Sequence, residues 1–412
     1  MTRKSLLLTA ICFVVPGCAV EVIVTAEETE LIVAEVPPDE SMLLDIGVVE
    51  FEGSIAKDNN PEKSGIYEEI RSAEVRYLPY HLKTTLQGTG HWGAVRVIPS
   101  PNAYTDIIIN GEIEKSDGEF VTLAISVDDA RGQHWYTKSY NAQTGISSYS
   151  ENRDKRADPY QKVFNDIAND LKVYVEQLPP ALVHEVRQVT ELKFFADMSP
   201  RAYGEHLETD EEGQVAIVRL PAENDPSVDR LRQIRERDRL VIDTLNEHYA
   251  NFYYGIAIPY HSWRKTAREE SINYRQVKRS AALQTLMGAV VLAGSLAVDT
   301  DSSSYSRSRM QRSLQYIAIE QGIDALVTGF SRRSEASMHL ESIKELSESF
   351  GAEAAPMIVT VEGETRRLTG TATAQYESWR RLLKEIYEAE TGFVETEDAP
   401  DPDPVRIPEP TG

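Results

Sequence analysis

Apolar and polar positions along residues 43–178 follow the pattern of a mixed α/β unit. Leu43 to Phe51 is almost wholly apolar, which predicts a largely buried strand. Apolar residues then recur at helical spacing, and Gly88 and Gly90 predict the end of that helix. Pro79 falls inside the helical pattern and predicts a kink or a break there.

Short strands and a last helix complete this region. The helix between the first two strands predicts a parallel pair, and the tight turns that follow predict an antiparallel meander. Asp158 and Pro159 predict an N-cap with proline at the first helical position of an amphipathic helix that ends near Leu178. The further predicted strands are Val95 to Ile98, Asp106 to Glu114, Phe120 to Val127 and Trp135 to Tyr140.

Residues 179–393 have mainly helical periodicity. A helix over Asp229 to Tyr254 opens with charges of mixed sign, which is typical of a solvated, salt-bridged face. The pattern also predicts a β-hairpin over Ala355 to Thr369 and a final helix over Gln375 to Glu390. An aromatic-rich cluster favours core or interface packing over sugar stacking. Its members are Tyr249, Phe252, Tyr253, Tyr254, Tyr260 and Trp263.

The least polar stretch is Ala281 to Val298, which runs thirteen residues without a charge from Leu286. Together with Met310 to Phe330 it predicts a tight helical hairpin over residues 281–330. One reading is a buried hairpin in a soluble domain, because thirteen residues are too few to span about 30 Å of hydrocarbon. The other reading is insertion into a bilayer or an oligomeric ring. The small face of the hairpin comprises Ala281, Ala289, Ala293 and Ala297.

The amino terminus has the features of an export signal. Arg3 and Lys4 precede a ten-residue apolar run, Leu6 to Val15, which is too short for a stable membrane span and suits a secretory signal. The run ends at Gly17 and Cys18, and this resembles the lipobox of bacterial lipoproteins.

In the lipoprotein family, a peptidase cleaves before the cysteine, whose thiol and new amine carry acyl chains such as palmitate. The resemblance implies that residues 1–17 are a signal peptide, that cleavage falls between Gly17 and Cys18, and that Cys18 is lipidated. Ala19 after the cysteine implies the outer membrane, with the protein facing the periplasm. The alternative is an ordinary signal peptide with a coincidental cysteine.

Composition narrows the possible partners. The formal net charge is −23, which argues against nucleic acid and anionic headgroups as partners. Cys12 and Cys18 are the two cysteines of the sequence, so the mature chain would have no thiol for a zinc site or for nucleophilic catalysis. Residues 18–42 predict an acidic tether, and residues 394–412, with six acids and five prolines, a disordered tail.

The order of elements in residues 43–178 resembles the amino-terminal domain of TolB and related CsgG-like envelope proteins. The strand Ile46 to Phe51, the helix ending near Gly90, the strand through Gly111 and the turn Asp128 to Gly132 carry the resemblance. It implies a module used for assembly in the envelope.

Three common motifs of catalytic and phosphate-binding sites are absent, and Ser262 to Lys265 matches the Ser-x-x-Lys pattern of penicillin-binding enzymes in letters only, because the companion motifs occur in the opposite chain order. There is no Gly-x-Ser-x-Gly, His-Glu-x-x-His or phosphate-binding Gly-x-x-x-x-Gly-Lys pattern, and the eight histidines show no ligand spacing. Gly88 to Gly93 matches Gly-x-Gly-x-x-Gly in letters, but it follows a predicted helix and precedes a strand, opposite to a dinucleotide site. We therefore expect no enzyme, no cofactor and no metal.

The sequence predicts an α+β protein in which a TolB-like α/β domain, residues 43–178, precedes a mostly helical domain, residues 179–393. The preferred function is a non-catalytic scaffold or assembly factor, tethered to the outer membrane and bound to envelope proteins or to itself. The main rival is a membrane-active, pore-forming or secretion component that inserts the 281–330 hairpin. A third possibility is a protein that acts on peptidoglycan.

Overall fold

The computed structural model describes residues 29–53, 67–100, 104–150, 158–296, 341, 344–345, 357–361 and 364–391. The chain has a mixed α/β architecture in which several helices surround a mixed sheet with the order β2-β1-β3-β4-β5. The strands of this sheet are β1 (Ile46–Val49), β2 (Val95–Ile98), β3 (Ile107–Ser116), β4 (Phe120–Asp129) and β5 (His134–Gln143).

Both predictions about strand direction are confirmed. β1 is parallel to β2 and also to β3, while β3, β4 and β5 form an antiparallel meander. Along β4 the side chains alternate between buried and partly buried, so one face of the sheet packs against the core. That face is covered by helices α1 (Glu68–Thr89) and α2 (Gln161–Glu176).

Helix α1 is continuous through Pro79, so a break at this proline is a wrong prediction. Proline has no N–H, which leaves the carbonyl of Val75 without its helical donor. In the fold that carbonyl accepts a hydrogen bond of 2.9 Å from the backbone N–H of Phe51, just after β1. The helix ends at Thr89, and Gly90 has a φ of +70°, as predicted for a glycine that terminates a helix.

The predicted N-cap of α2 is also wrong. The helix begins at Gln161 rather than at Pro159. The Asp158 carboxylate does accept a backbone hydrogen bond, of 2.8 Å from the N–H of Tyr160. Its main partner is the guanidinium of Arg264, 106 residues further along the chain.

The described residues of the second half are mainly helical and include two small hairpins. β6 pairs with β7 and β8 pairs with β9, both antiparallel, and the predicted hairpin and final helix near the carboxyl end are confirmed. The sequence pattern did not indicate β6 and β7, whose three residues each are too few for a visible alternation. The elements are α3 (Pro180–Met198), α4 (Pro200–Tyr203), β6 (Leu207–Thr209), β7 (Val215–Ile217), α5 (Pro226–Leu296), β8 (Met357–Val361), β9 (Glu364–Leu368) and α6 (Ala372–Thr391).

Helix α5 has 71 residues. At 1.5 Å per residue its length is roughly 105 Å, far more than a small domain is wide. It joins the predicted helix over Asp229 to Tyr254 to the small-residue segment that begins at Ala281 in one uninterrupted element. It contacts α1, α3, α6 and β2.

An extended segment before β1 lies along α2. The Asn169 side chain accepts a hydrogen bond of 2.9 Å from the N–H of Ile32 and donates one of 2.9 Å to the carbonyl of Glu30. Asn165 donates to the carbonyl of Thr29 at 2.7 Å. The side-chain amides thus bind this segment by its backbone, as a neighbouring strand would.

Candidate functional site

The attachment of α5 to the sheet domain centres on a buried ion pair. Arg264 of α5 donates two hydrogen bonds of 2.8 Å to the two carboxylate oxygens of Asp158, which lies just before α2. The two side chains are 1% and 4% exposed. The Tyr77 hydroxyl of α1 donates to the same carboxylate at 3.2 Å. The paired geometry fixes the position of α5 relative to α1 and α2.

Aromatic rings surround the cation of this pair. The guanidinium carbon of Arg264 lies 4.1 Å from the ring centroid of Tyr260 and 4.9 Å from that of Tyr160. Burial alone would lower the pKa of Arg264, but the charge of Asp158 holds it well above its ordinary value. Burial alone would raise the pKa of Asp158, and Arg264 holds it well below its ordinary value. Both groups are therefore charged at neutral pH.

A buried carboxylate on α1 makes a second connection. Glu74 accepts a hydrogen bond of 2.6 Å from the Tyr260 hydroxyl of α5 and another from the Ser116 hydroxyl of β3. The Arg71 guanidinium lies 3.4 Å from its other oxygen. Burial raises the pKa of Glu74, and the charge of Arg71 opposes that rise. This carboxylate links α1, β3 and α5.

His81 makes a third connection. Its Nε2 donates to Gln161 Oε1 at 2.9 Å, which assigns Nδ1 as the acceptor of the Tyr253 hydroxyl at 2.7 Å. The residue is 5% exposed, and burial lowers its pKa. The neutral imidazole therefore joins α1, α2 and α5.

The edge of the sheet at β2 is covered by α5. Asn246 accepts a hydrogen bond of 2.8 Å from the N–H of Val97 and donates one of 2.9 Å to its carbonyl. The Asn246 side chain thereby satisfies the backbone N–H and carbonyl of Val97 at the edge of the sheet, as a neighbouring strand would.

A cleft with a volume of about 720 Å³ opens between α3, α6 and the turn after β4. Helix α3 lines it with Lys193 and Asp197, four residues apart on one face, and α6 lines it with Tyr376, Arg380 and Lys384, also spaced by four. The volume lies in the range of small-molecule sites. We name this feature the Lys193 cleft.

Two acids of the Lys193 cleft, Asp129 and Asp197, have strong partners. Asp197 accepts hydrogen bonds from Arg380 and, at 3.0 Å, from Lys384. Asp129 accepts from the Arg131 guanidinium at 2.7 Å and from the indole N–H of Trp135 at 3.0 Å. These carboxylates are engaged before any ligand arrives.

A smaller cleft of about 290 Å³ lies between α3, α5 and the segments that precede β1 and β3. Asp106 is buried there, and both burial and the charge of Asp45 raise its pKa. Asp45 in turn pairs with Arg239 at 2.9 Å. The lining of this cleft comprises three arginines, Arg187, Arg235 and Arg239, and three acids, Asp45, Asp106 and Glu191.

Three of the six site residues predicted from the sequence lie outside the described part of the chain. Gly17, Cys18 and Ala297 lie outside it, as does the second arm of the proposed hairpin. Ala281, Ala289 and Ala293 lie in the helical backbone of α5, which agrees with the predicted helix there. The close helix contact and the hairpin itself stay predictions. In the described ranges, no helix is long and apolar enough to cross a membrane, and no three acidic or histidine side chains gather as metal ligands would.

Sequence patterns did not single out Glu74, Lys193 or Arg264, and they predicted Asp158 only as a helix N-cap. A signal existed for Arg264, because it follows Ile256 and Tyr260 at intervals of four on the buried stripe of α5. A charged residue at an apolar-stripe position predicts a buried partner. The aromatic cluster was read correctly as core, except that Tyr254 is 66% exposed.

No protein-family model matches the chain, and no curated protein matches its sequence. Among solved structures, a leucine-to-methionine variant of PelC from Paraburkholderia phytofirmans, a dodecamer, aligns at 13% identity with a TM-score of 0.18. The alignment covers 37% of this chain and 99% of that chain. A likeness with so low a score carries no argument about this protein.

Proposed function

We propose that this chain is a lipid-anchored periplasmic protein of the outer membrane that acts as a non-catalytic scaffold or assembly factor. One observation carries the proposal: a helix of roughly 105 Å is attached to an α/β domain by buried polar contacts. Arg264, Glu74 and Asn246 take part in those contacts. A long helix fixed at one part of its length presents an extended surface at a defined angle, as a scaffold requires.

The α/β domain is assigned in this proposal to the TolB amino-terminal and CsgG-like class. The parallel pair β1–β2 around α1 and the antiparallel meander β3–β5 support that assignment. Members of this class assemble in the envelope, and we propose envelope proteins or a second copy of the chain as partners. The charge of −23 supports a partner other than nucleic acid.

The anchor would hold the domain near the membrane. Thr29, the first residue bound by the side-chain amides of α2, follows Cys18 by eleven residues. Fully extended, eleven residues reach roughly 40 Å. A lipidated Cys18 would thus keep the α2 face of the domain within that distance of the bilayer.

Crosslinking in intact cells tests the scaffold role. A photoreactive residue replaces Ile258, which is 80% exposed on α5, and in a matched strain replaces Val173, which is 45% exposed on α2. We expect a covalent adduct with an exported envelope protein or a second copy at position 258 and little at position 173. Absence of adducts at position 258, or equal adducts at both positions, would contradict the proposal.

Fractionation of an exported, lipid-free Cys18→Ser form separates the scaffold from a membrane-active protein. A conventional signal peptide replaces residues 1–17 in this form, so export continues without acylation. We expect the lipid-free protein in the soluble fraction and the native protein with the membrane. Retention of the lipid-free form in the membrane would instead support insertion.

A further inference from the structure

Lys193 is a cation without a matched anion in the Lys193 cleft. It is partly buried, and it makes no hydrogen bond or ion pair with any residue in the described ranges. Burial lowers the pKa of Lys193. The charge of Asp129 opposes this decrease, although the two side chains form no ion pair. Taking a cation partly out of water without a partner is unfavourable, so an anionic group at this position would be stabilised.

Three of the four acids that line the cleft, Asp128, Asp129 and Asp197, already have partners. Asp129 has a fully buried carboxylate shared between Arg131 and Trp135. Asp197 is shared between Arg380 and Lys384, so two cations already compete for one carboxylate. The side of the cleft formed by α3 and α6 has four cations and two acids, and the opposite side adds the acids Asp128 and Asp129.

We infer that the Lys193 cleft binds a small ligand through a carboxylate that pairs with Lys193. The volume of about 720 Å³ suits one or two sugar or amino-acid units. The partly buried Tyr104 and Ile108 line the same cleft and offer an apolar surface to the body of such a ligand. An acidic sugar and a peptide carboxyl terminus share this chemistry.

A carboxylate fits better than a phosphate. Phosphate recognition favours the bidentate fork of an arginine or several backbone N–H groups. Arg380 is paired with Asp197 and lies 3.5 Å from Asp238, and Lys193 supplies a single point charge. Arg381 also lines the cleft; it is exposed and donates to the Ser378 hydroxyl at 3.1 Å. The carboxylates of Asp128 and Glu377, which also line the cleft, would repel a dianion more strongly than a monoanion.

Calorimetric titration of the full chain at low ionic strength tests the inference with two pairs of probes. D-glucuronate is compared with D-glucose, and N-acetyl-glycyl-glycine with its carboxyl amide. We expect at least one carboxylate probe to bind and its neutral counterpart not to bind. The pair that responds identifies the source as sugar or peptide. Failure of both carboxylates, or equal binding of a neutral counterpart, would overturn the inference.

Variants locate the binding. Lys193→Met should weaken the binding of the active probe by about tenfold or more, because it removes a charge-assisted hydrogen bond. Lys193→Arg should retain most of the affinity. Lys172→Met, on α2 and outside the cleft, removes a lysine that pairs with Glu176 at 2.8 Å and should leave binding unchanged. Equal affinity of Lys193→Met and the native protein would overturn the assignment, and the thermal midpoint shows whether each variant is folded.

Discussion

Two charged clusters in this protein use the same types of residue and differ in how completely the charges are matched. Around Arg264 the ion pair with Asp158 is almost fully removed from water, and Tyr77 adds a donor to the carboxylate. In the Lys193 cleft Lys193, Asp197 and Arg380 are only partly buried, and the Lys193 ammonium has no partner in the described part of the chain.

The difference separates a structural contact from a binding site. A buried pair with every charge matched holds two elements in one register, and it is costly to break because one ion is then left alone. A cluster with an unmatched, accessible charge gains free energy when a ligand supplies the missing partner. Completeness and exposure of the charges, rather than residue type, therefore distinguish the two.

The largest effect should come from Arg264→Met. The substitution leaves the Asp158 carboxylate buried without its cation, which typically costs about 3–5 kcal/mol. Urea denaturation should show that loss in the free energy of unfolding. Arg237→Met breaks an exposed pair with Glu390 and should cost less than about 1 kcal/mol.

A double variant sharpens this prediction. Arg264→Met leaves the negative charge of Asp158 without a counter-ion, and Asp158→Asn removes that charge. The amide oxygen of the new asparagine can still accept the hydrogen bond from the N–H of Tyr160. The double variant should recover part of the stability lost in Arg264→Met alone. If the double variant lost as much unfolding free energy as the two single variants together, the two residues would not be coupled.

Asn246→Leu should have the next largest effect. It leaves the N–H and the carbonyl of Val97 buried without partners, at a cost of about 1–3 kcal/mol. The comparison is Thr244→Val, two residues away, which removes an exposed hydroxyl and should change stability by less than about 0.5 kcal/mol. Similar results for both variants in denaturation would show that α5 does not cover the edge of β2.

His81 should make stability depend on pH. Burial lowers its pKa below the usual value of 6.5, with Asp158 opposing and Arg264 reinforcing that shift. As the pH falls, His81 is therefore protonated at a higher pH in the unfolded chain than in the folded protein. The contribution of the neutral His81 to the free energy of unfolding is present above pH 6.5 and is lost below it. His81→Gln should flatten this part of the profile of unfolding free energy against pH.

The exposed His134 provides the control for this profile. It lies on β5 beside Asp128, with a half-exposed side chain. His134→Gln should leave the loss of stability below pH 6.5 in place. An unchanged profile in His81→Gln would show that the buried imidazole is not its source.

The smallest effect on stability should come from Lys193→Met. Removal of an unmatched cation that is partly out of water should leave the thermal midpoint unchanged or raise it slightly. Lys193 would then, unlike Arg264, make no contribution to the stability of the fold. A fall of several degrees in the midpoint would instead mean that Lys193 supports the fold.

Local patterns predicted most elements of the fold but not their connections. The strands, the helix stop at Gly90 and the final helix follow from periodicity and from glycine, which act over a few residues. Pro79 did not break α1, because Phe51, far away in the chain, supplies a donor to the carbonyl that proline leaves free. Propensity cannot anticipate a partner that the tertiary fold provides.

The candidate sites could not be predicted from the sequence either, because their residues meet only in the folded chain. Asp158 was read as a helix cap, a local role, whereas its principal partner Arg264 is 106 residues away. Lys193 and Arg380 belong to helices that meet only in the fold. No short motif marks either cluster, because their geometry comes from the packing of α3, α5 and α6.

Hydrogen exchange measured by mass spectrometry gives the most direct test of the claim that Arg264 holds α5 and the sheet domain as one rigid unit. In the native protein, amides of α5 from Leu231 to Arg264 should exchange as slowly as those of β1 and β3. In Arg264→Met, protection of this part of α5 should fall well below that of the sheet. Rapid exchange of α5 in the native protein, or unchanged protection in the variant, would show that Arg264 does not hold α5 on the sheet domain.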